Sequence, residues 1–205
     1  MIPIKIQKIH FNLCLLFILS WFLQLQFYMG WDISWGLHES KKLLTGGTYG
    51  KDFFEQSPPM FLYLYSPSIL ISSFFKLNLA ILFKIYIYLL CGISLLLCDT
   101  INKKIFPQQD NPIRFLFLLA LTTVFLFIPF GFDFGQREHI MLVLVMPYLL
   151  TVVLRLKNES LNLRFLIVIG CLSGLGFAIK PFFLIPFFFI ELLLISFKQR
   201  FTIFF

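Results

Sequence analysis

The run LNLAILFKIYIYLLCGISLLLC at residues 77–98 decides the fold. It is apolar over more than the roughly 20 residues that an α-helix needs to cross the hydrocarbon layer of a bilayer. Its one charged residue, Lys84, lies towards one end, where we expect the ammonium group to reach the lipid head groups. Further apolar segments lie at residues 11–29, 60–75, 113–130, 140–154, 165–179 and 182–197. The sequence therefore predicts an all-α protein, a polytopic bundle of transmembrane helices.

The composition excludes a soluble domain. Of the 205 residues, 59% are hydrophobic and only 13% are charged, whereas a soluble domain carries about 25% charged residues. The net charge of +7 does not indicate nucleic acid as a partner. The basic residues gather at the ends of apolar runs, as in the cytoplasmic loops of membrane proteins, and form no stripe with interleaved aromatic residues. The predicted partner is a lipid bilayer.

No motif of a soluble enzyme is present in the sequence. We find no phosphate-binding Gly-rich loop, no dinucleotide-binding fingerprint, no HExxH and no GxSxG. The four cysteines lie inside apolar runs without a CxxC pair, so we interpret them as packing residues. The spacing of possible ligands does not indicate a divalent metal, and the cofactor stays open.

The segment at residues 60–75 determines the sidedness of everything that follows it. If it lies on the outer face without crossing, the chain crosses six times and both termini are cytoplasmic. The basic loops then segregate to one side, as the positive-inside rule requires, and this is the interpretation we prefer. The predicted location is the cytoplasmic (inner) membrane of a bacterium, with outer loops at residues 30–76 and 131–139. The predicted cytoplasmic set is Lys5, Lys8, Lys103, Lys104, Arg114, Arg155, Lys157, Arg164, Lys198 and Arg200.

Asp32 is the candidate general base in the first outer loop. It follows the first apolar segment and is flanked by Trp31 and Ile33, where desolvation would raise its pKa and improve it as a proton acceptor. An equally weighted alternative is a helix cap, in which Asp32 accepts from amides at the start of a short helix over residues 34–44.

The second outer loop brings Arg137, Glu138 and His139 together between two apolar segments. A guanidinium and an imidazole suit a phosphate or a leaving oxyanion. The alternative is a salt-bridge network of Asp133, Arg137 and Glu138, with His139 as a helix cap.

The segment at residues 165–179 ends in Lys180, which either neutralises a lipid phosphate or reaches out to the head groups. Within this segment Ser173 stands among Gly170, Gly174 and Gly176. Such a run of small residues predicts close packing against another helix.

Residues 32–65 resemble the first outer loop of membrane glycosyltransferases of the GT-C fold, in the bacterial branch related to protein mannosyltransferases and lipid A aminoarabinose transferases. The resemblance rests on an acidic residue after the first span, then on LTGGTY at residues 44–49, DFFE at 52–55 and PPMFLY at 58–63. The second acidic loop and the Lys180–Pro181 end of a Gly-rich helix also match. Two features differ: Ile33 follows Asp32 where many relatives have Glu, and relatives are longer. The resemblance therefore implies that residues 1–205 are the N-terminal part of such an enzyme.

The resemblance implies inverting transfer of a sugar from a polyprenyl-phosphate donor to an acceptor on the outer membrane face. Asp32 would take the proton of the acceptor, which is a lipid, a glycan or a protein. The donor phosphate would be bound by Arg137, His139 and Lys180. The acceptor or the loop would be positioned by Asp52, Glu55, Asp133 and Glu138. A second hypothesis is a truncated, inactive membrane protein, either a pseudogene-like fragment or a helix-bundle scaffold.

Overall fold

The computed structural model describes residues 4–54, 58–108 and 112–203, and regular structure in these ranges is helical apart from a single bridge between Tyr49 and Phe53. The predicted all-α fold is confirmed. The helices are α1 (Ile4–Gln24), α2 (Trp31–Leu44), α3 (Met60–Phe75), α4 (Leu79–Ile105), α5 (Pro112–Phe127), α6 (Arg137–Leu156), α7 (Leu163–Ile179) and α8 (Leu184–Ile203).

Two helices, α4 and α6, are long and apolar enough to cross a membrane. They indicate membrane association by length and composition. The other apolar helices in the described part of the chain are shorter, at 10–17 residues. These shorter helices are Phe11–Gln24, Met60–Phe75, Pro112–Phe127, Leu163–Ile179 and Leu184–Ser196.

The centre of the bundle is α4, which packs against α3, α5 and α6. Its buried side chains include Phe83, Ile87, Cys91, Cys98 and Ile101. They recur at intervals of three, four and seven residues, which places them on one face of a helix. In turn, α6 packs on α7 and α8, and α1 packs on α5.

One end of the bundle is held together by polar contacts. The Gln24 side chain donates to the Gly131 carbonyl at 2.8 Å and accepts from the Gly131 amide at 3.0 Å. The Lys84 ammonium donates to the carbonyl oxygens of Gln24 and Phe27, at 2.9 and 2.7 Å. The end of α1, the start of α4 and the loop after α5 therefore meet here, at what we call the loop end.

The buried position of Lys84 differs from the sequence expectation. Only 7% of its surface is exposed, and its ammonium group does not reach out to the surface. It binds carbonyl oxygens at the C-terminus of α1, where helix carbonyls lack partners and the helix dipole attracts a cation.

Helices α2 and α3 form a cap on the loop end. The hydroxyl of Tyr65 in α3 donates to the Gly135 carbonyl at 2.9 Å. In α2, a Cβ on Gly36 would lie 2.7 Å from the Tyr65 ring and 3.0 Å from the Phe61 ring, so the two helices pack closely at this glycine. Because α1 ends and α4 begins at the same end, the chain over residues 25–78 leaves and re-enters the bundle there. Whether Met60–Phe75 crosses a membrane stays a prediction.

Basic residues gather at the opposite end of the bundle. Arg114 and Lys103 pair with Asp99 at 3.2 and 2.6 Å. The Lys157 ammonium donates to the Ile105 carbonyl at 2.8 Å and therefore satisfies the C-terminus of α4. Arg114, Lys103 and Lys157 of the predicted cytoplasmic set therefore lie at this end, and their sidedness in a membrane stays a prediction.

The small-residue run in α7 packs closely at only some of its positions. A Cβ on Gly176 would lie 2.8 Å from Val145 Cγ2 of α6, whereas Gly170 and Gly174 face open space. Ser173 is also buried. The predicted close packing is therefore confirmed at Gly176 and Ser173, and the prediction is wrong for Gly170 and Gly174.

We expect Gly176→Ala to destabilise the protein by about 1–3 kcal/mol relative to Gly174→Ala, because the added methyl group overpacks the contact with α6. Both substitutions raise helix propensity equally, so their difference isolates the packing. Thermal unfolding in detergent measures the effect. Equal unfolding temperatures for the two variants would contradict the packing.

Candidate functional site

Asp32 lies in the first turn of α2 and is exposed. The helix begins at Trp31, with Gly30 as its N-cap and no side-chain cap hydrogen bond. The predicted helix-capping role of Asp32 is therefore wrong, because α2 starts three residues earlier than expected and includes Asp32. A carboxylate in this first turn is favoured by the helix dipole. Since the chain leaves Asp32 exposed, any desolvation of its carboxylate must come from the membrane or a ligand.

Two close backbone contacts fix the second outer loop against the cap and the core. A Cβ on Gly30 would overlap the Phe132 carbonyl, so the start of α2 touches this loop through backbone alone. Gly135 has φ of +94°, and a Cβ there would lie 2.6 Å from the Phe83 ring. Only glycine fits both the backbone conformation and the space at Gly135.

The charged side chains after this loop are held by specific partners. The Arg137 guanidinium lies over the Phe61 ring, 5.1 Å from its centroid. Glu138 forms an ion pair with Lys180, which joins the start of α6 to the end of α7. Asp133 accepts a hydrogen bond from the Gln136 side chain at 2.7 Å.

Tyr65 lies between the start of α2 and the start of α6. Gly36, one turn after Asp32, packs against the Tyr65 ring, and the Tyr65 hydroxyl donates to the Gly135 carbonyl, two residues before Arg137. Burial raises the pKa of Tyr65, the charge of Arg137 opposes this rise, and the carboxylates of Glu138 and Asp32 add to it. We call Asp32, Arg137, Glu138 and Lys180 the charged cluster.

His139 faces away from the charged cluster, and only 4% of its surface is exposed. Its Nδ1 accepts from the Gly135 amide at 3.0 Å, and its Nε2 lies 3.9 Å from the Cys91 sulfur. The ring therefore stabilises the turn before α6, in agreement with the alternative structural interpretation. With both nitrogens directed at the protein interior, His139 is left out of the phosphate-binding set.

Asp52 stabilises its own turn. Its Oδ2 accepts from the Thr48 amide at 2.7 Å and from the Thr48 hydroxyl at 2.6 Å. These hydrogen bonds from Thr48 hold the pKa of Asp52 below its usual value. The turn leads to Phe53, which is buried in the core. Asp52 therefore has the loop-positioning role among those proposed, while Glu55 lies outside the described residues.

Sequence reasoning missed Glu39, whose side chain is completely buried in α2. Its Oε1 pairs with Lys42 at 3.2 Å, and its Oε2 has no hydrogen-bond partner among the described residues. Glu39 follows Asp32 by seven positions, so the two carboxylates lie on one face of the helix. The seven-residue spacing from Asp32 was the sequence signal that could have identified Glu39.

A second missed feature is an ion pair between α6 and α8. Arg155 binds both carboxylate oxygens of Glu191, at 2.7 and 3.0 Å, and the Tyr148 hydroxyl donates to the same carboxylate at 2.8 Å. Glu191 lies in an apolar segment, where ionisable groups usually have a partner, and Arg155 directly follows another apolar segment. Glu191 therefore has a structural role.

Comparison with family models, with curated proteins and with solved structures finds no match to the chain. Among the side chains that the structure describes, no group of three or more His, Cys, Asp or Glu residues is arranged to hold a metal ion.

We expect exchange of the charges in Glu138→Lys with Lys180→Glu to recover most of the stability that each single change loses. The coupling between these partly exposed groups is about 0.5–1 kcal/mol. A double-mutant cycle by thermal unfolding in detergent measures it. No coupling in the cycle would mean that the pair does not join α6 to α7 in solution.

Proposed function

We propose that the charged cluster belongs to the active site of a membrane glycosyltransferase. The enzyme transfers a sugar from a polyprenyl-phosphate donor to an acceptor on the outer face of the cytoplasmic membrane, with inversion. The observation that carries the proposal is the packing of α2 and α3 on the loop before α6, at one end of the bundle. Gly36, one turn after Asp32, lies against the Tyr65 ring, and the Tyr65 hydroxyl binds the Gly135 carbonyl, two residues before Arg137. These contacts bring together charged residues that are far apart in sequence.

The proposed topology has six crossings, made by α1, α4, α5, α6, α7 and α8. Contacts at the two ends of the bundle support this topology. At the loop end Gln24 of α1 binds Gly131 after α5, and at the opposite end Lys157 after α6 binds the Ile105 carbonyl of α4. Lys103, Lys104, Arg114, Arg155 and Lys157 would then face the cytoplasm. The helices shorter than the bilayer are accommodated by local thinning of the lipid.

Asp32 acts as the general base in the proposed reaction. It removes the proton from the acceptor hydroxyl or amine as the acceptor attacks the anomeric carbon. The bond between that carbon and the phosphate oxygen breaks, and the polyprenyl phosphate leaves with the electron pair. The exposure of Asp32 in the first turn of α2 leaves its carboxylate accessible to an acceptor.

Arg137 and Lys180 stabilise the charge that develops on the leaving phosphate. The guanidinium is held over Phe61, so it is already oriented before a ligand arrives. Lys180 is held by Glu138, which acts as a positioning residue and gives way to the phosphate when the donor binds. Without a ligand, this pairing keeps the cation from being buried alone.

A second candidate function, a helix-bundle scaffold without catalysis, is favoured by the same contacts. Lys180 is paired with Glu138, Arg137 is stacked on Phe61, and His139 is buried with both nitrogens directed inward. In a scaffold these contacts serve only to fasten α6 to α3 and α7.

The Asp32→Asn substitution separates the two functions. In the enzyme it should lower sugar transfer by about 10²–10⁴-fold, because the general base is lost. The measurement is transfer of labelled sugar from a panel of polyprenyl-phosphate donors, in membranes that contain the native protein. Glu159→Gln is the matched control, because Glu159 is an exposed carboxylate beyond α6, away from the charged cluster.

Transfer by the native protein that is lost in Asp32→Asn and kept in Glu159→Gln supports the enzyme. Unchanged transfer in Asp32→Asn contradicts the role of the base. Absence of transfer by the native protein with every donor favours the scaffold.

A further inference from the structure

An apolar groove lies between α1 and α4, on the side of the bundle away from α6. Because α1 packs on α5, its other side leaves a gap beside α4. The groove has a volume of about 590 Å³, within the range of small-molecule pockets. Its walls include Phe17, Trp21 and Phe22 of α1 with Ile85, Gly92 and Leu96 of α4.

The walls of the groove present almost only hydrocarbon groups to an occupant. The nearest hydroxyl groups, those of Ser20 and Tyr88, bond to each other at 2.6 Å, so neither needs a partner in the groove. Water would find no hydrogen-bond partners along these walls, whose side chains are largely exposed. An occupant must therefore be a hydrocarbon chain.

The length and position of the groove identify the kind of chain. Residues 85 to 96 of α4 rise by about 16 Å, at 1.5 Å per residue. This equals about half of the 30 Å hydrocarbon core of a bilayer, which is the depth of one leaflet. The groove lies in the middle of α4, between Lys84 at the loop end and Asp99 at the opposite end. We infer that one acyl chain of a phospholipid occupies this groove and completes the packing of α1 against α4.

This inference rests on the membrane topology in the proposed function but not on the sugar chemistry. The chain fills the space between α1 and α4 that side chains leave open. Tyr88, at the floor of the groove, also contacts the Phe134 ring of the second outer loop, with centroids 4.8 Å apart. A bound chain therefore supports, through Tyr88, the loop that carries Arg137.

Gly92 provides the test, because no atom lies within 4 Å of a Cβ built there. A leucine at this position extends into the groove from a Cβ that contacts no protein atom. Gly170 of α7 is the matched control, since it is also a helical glycine facing open space. Gly170 does not line the groove.

The readout is the fluorescence of Trp21, which lines the groove. Trp31→Phe with Trp35→Phe leaves it as the single tryptophan. The detergent-solubilised chain is titrated with phospholipid brominated in the middle of its acyl chains, a quencher of tryptophan. Phospholipid that copurifies is counted by native mass spectrometry, and flotation with liposomes establishes membrane insertion beforehand.

We expect quenching that saturates at one lipid per chain, and one copurifying phospholipid, in the parent and in Gly170→Leu. Gly92→Leu should lose more than half of the quenching and the copurifying lipid. Equal behaviour of the two leucine variants, or quenching that never saturates, would overturn the inference, because contact would then be with bulk lipid.

Two other outcomes also overturn the inference and distinguish its failure from that of the proposed function. If polyprenyl phosphate displaces the brominated lipid at lower concentration, the groove takes the isoprenoid chain, and the glycosyltransferase proposal stands. If the protein does not float with liposomes, the proposed membrane topology fails. Loss of sugar transfer in Asp32→Asn is independent of both outcomes.

Discussion

The binding of the Lys84 ammonium to the carbonyl oxygens of Gln24 and Phe27 is the contact on which the rest of the architecture depends. It fixes the C-terminus of α1 beside the start of α4, inside the protein. A buried ammonium that lost these partners would carry a large desolvation cost, so the two helix ends stay together. As a consequence, α2 and α3, which lie between α1 and α4 in the chain, form the cap at this end of the bundle.

The cap and the second outer loop are connected through backbone contacts. Gly30 touches the Phe132 carbonyl, and Tyr65 donates to the Gly135 carbonyl. Contacts of this kind tolerate little change, because a side chain at either glycine would separate the surfaces. They bring the start of α2 to the loop that precedes Arg137. The charged cluster therefore follows from the packing of neutral groups around it.

Hydropathy was sufficient to predict the helices. The long apolar run at residues 77–98 lies within α4 except for Leu77 and the N-cap Asn78, and the break at Lys180 separates α7 from α8 as expected. Partners of buried charges were harder to predict, because they depend on which helices are neighbours. Lys84 was expected at the surface and binds carbonyls, while Glu191 received no role and binds Arg155. Sequence spacing contains no information about such contacts between helices.

For the same reason, the sequence could predict only part of the candidate site. Charge scarcity directed attention to the loops around Asp32 and Arg137, and their role in a site stays a prediction. However, it could not distinguish Lys180, which pairs with Glu138, from His139, whose ring turns into the core. Orientation within a helical turn depends on the neighbours of each position, and α6 buries the face that contains His139. The role of Asp52 in its turn follows from a local hydrogen bond that short-range sequence patterns favour.

The most direct test of the central claim is the sidedness of the two ends of the cap. Single cysteines replace Tyr28 and Phe75, both exposed, in a chain from which the exposed Cys14 and Cys171 have been removed. A membrane-impermeant maleimide is then applied to intact cells, with Glu159→Cys as the marker of the opposite end. The account predicts labelling of both cap positions from outside, and labelling at position 159 only after permeabilisation. Labelling of positions 28 and 75 from opposite sides of the membrane would contradict it.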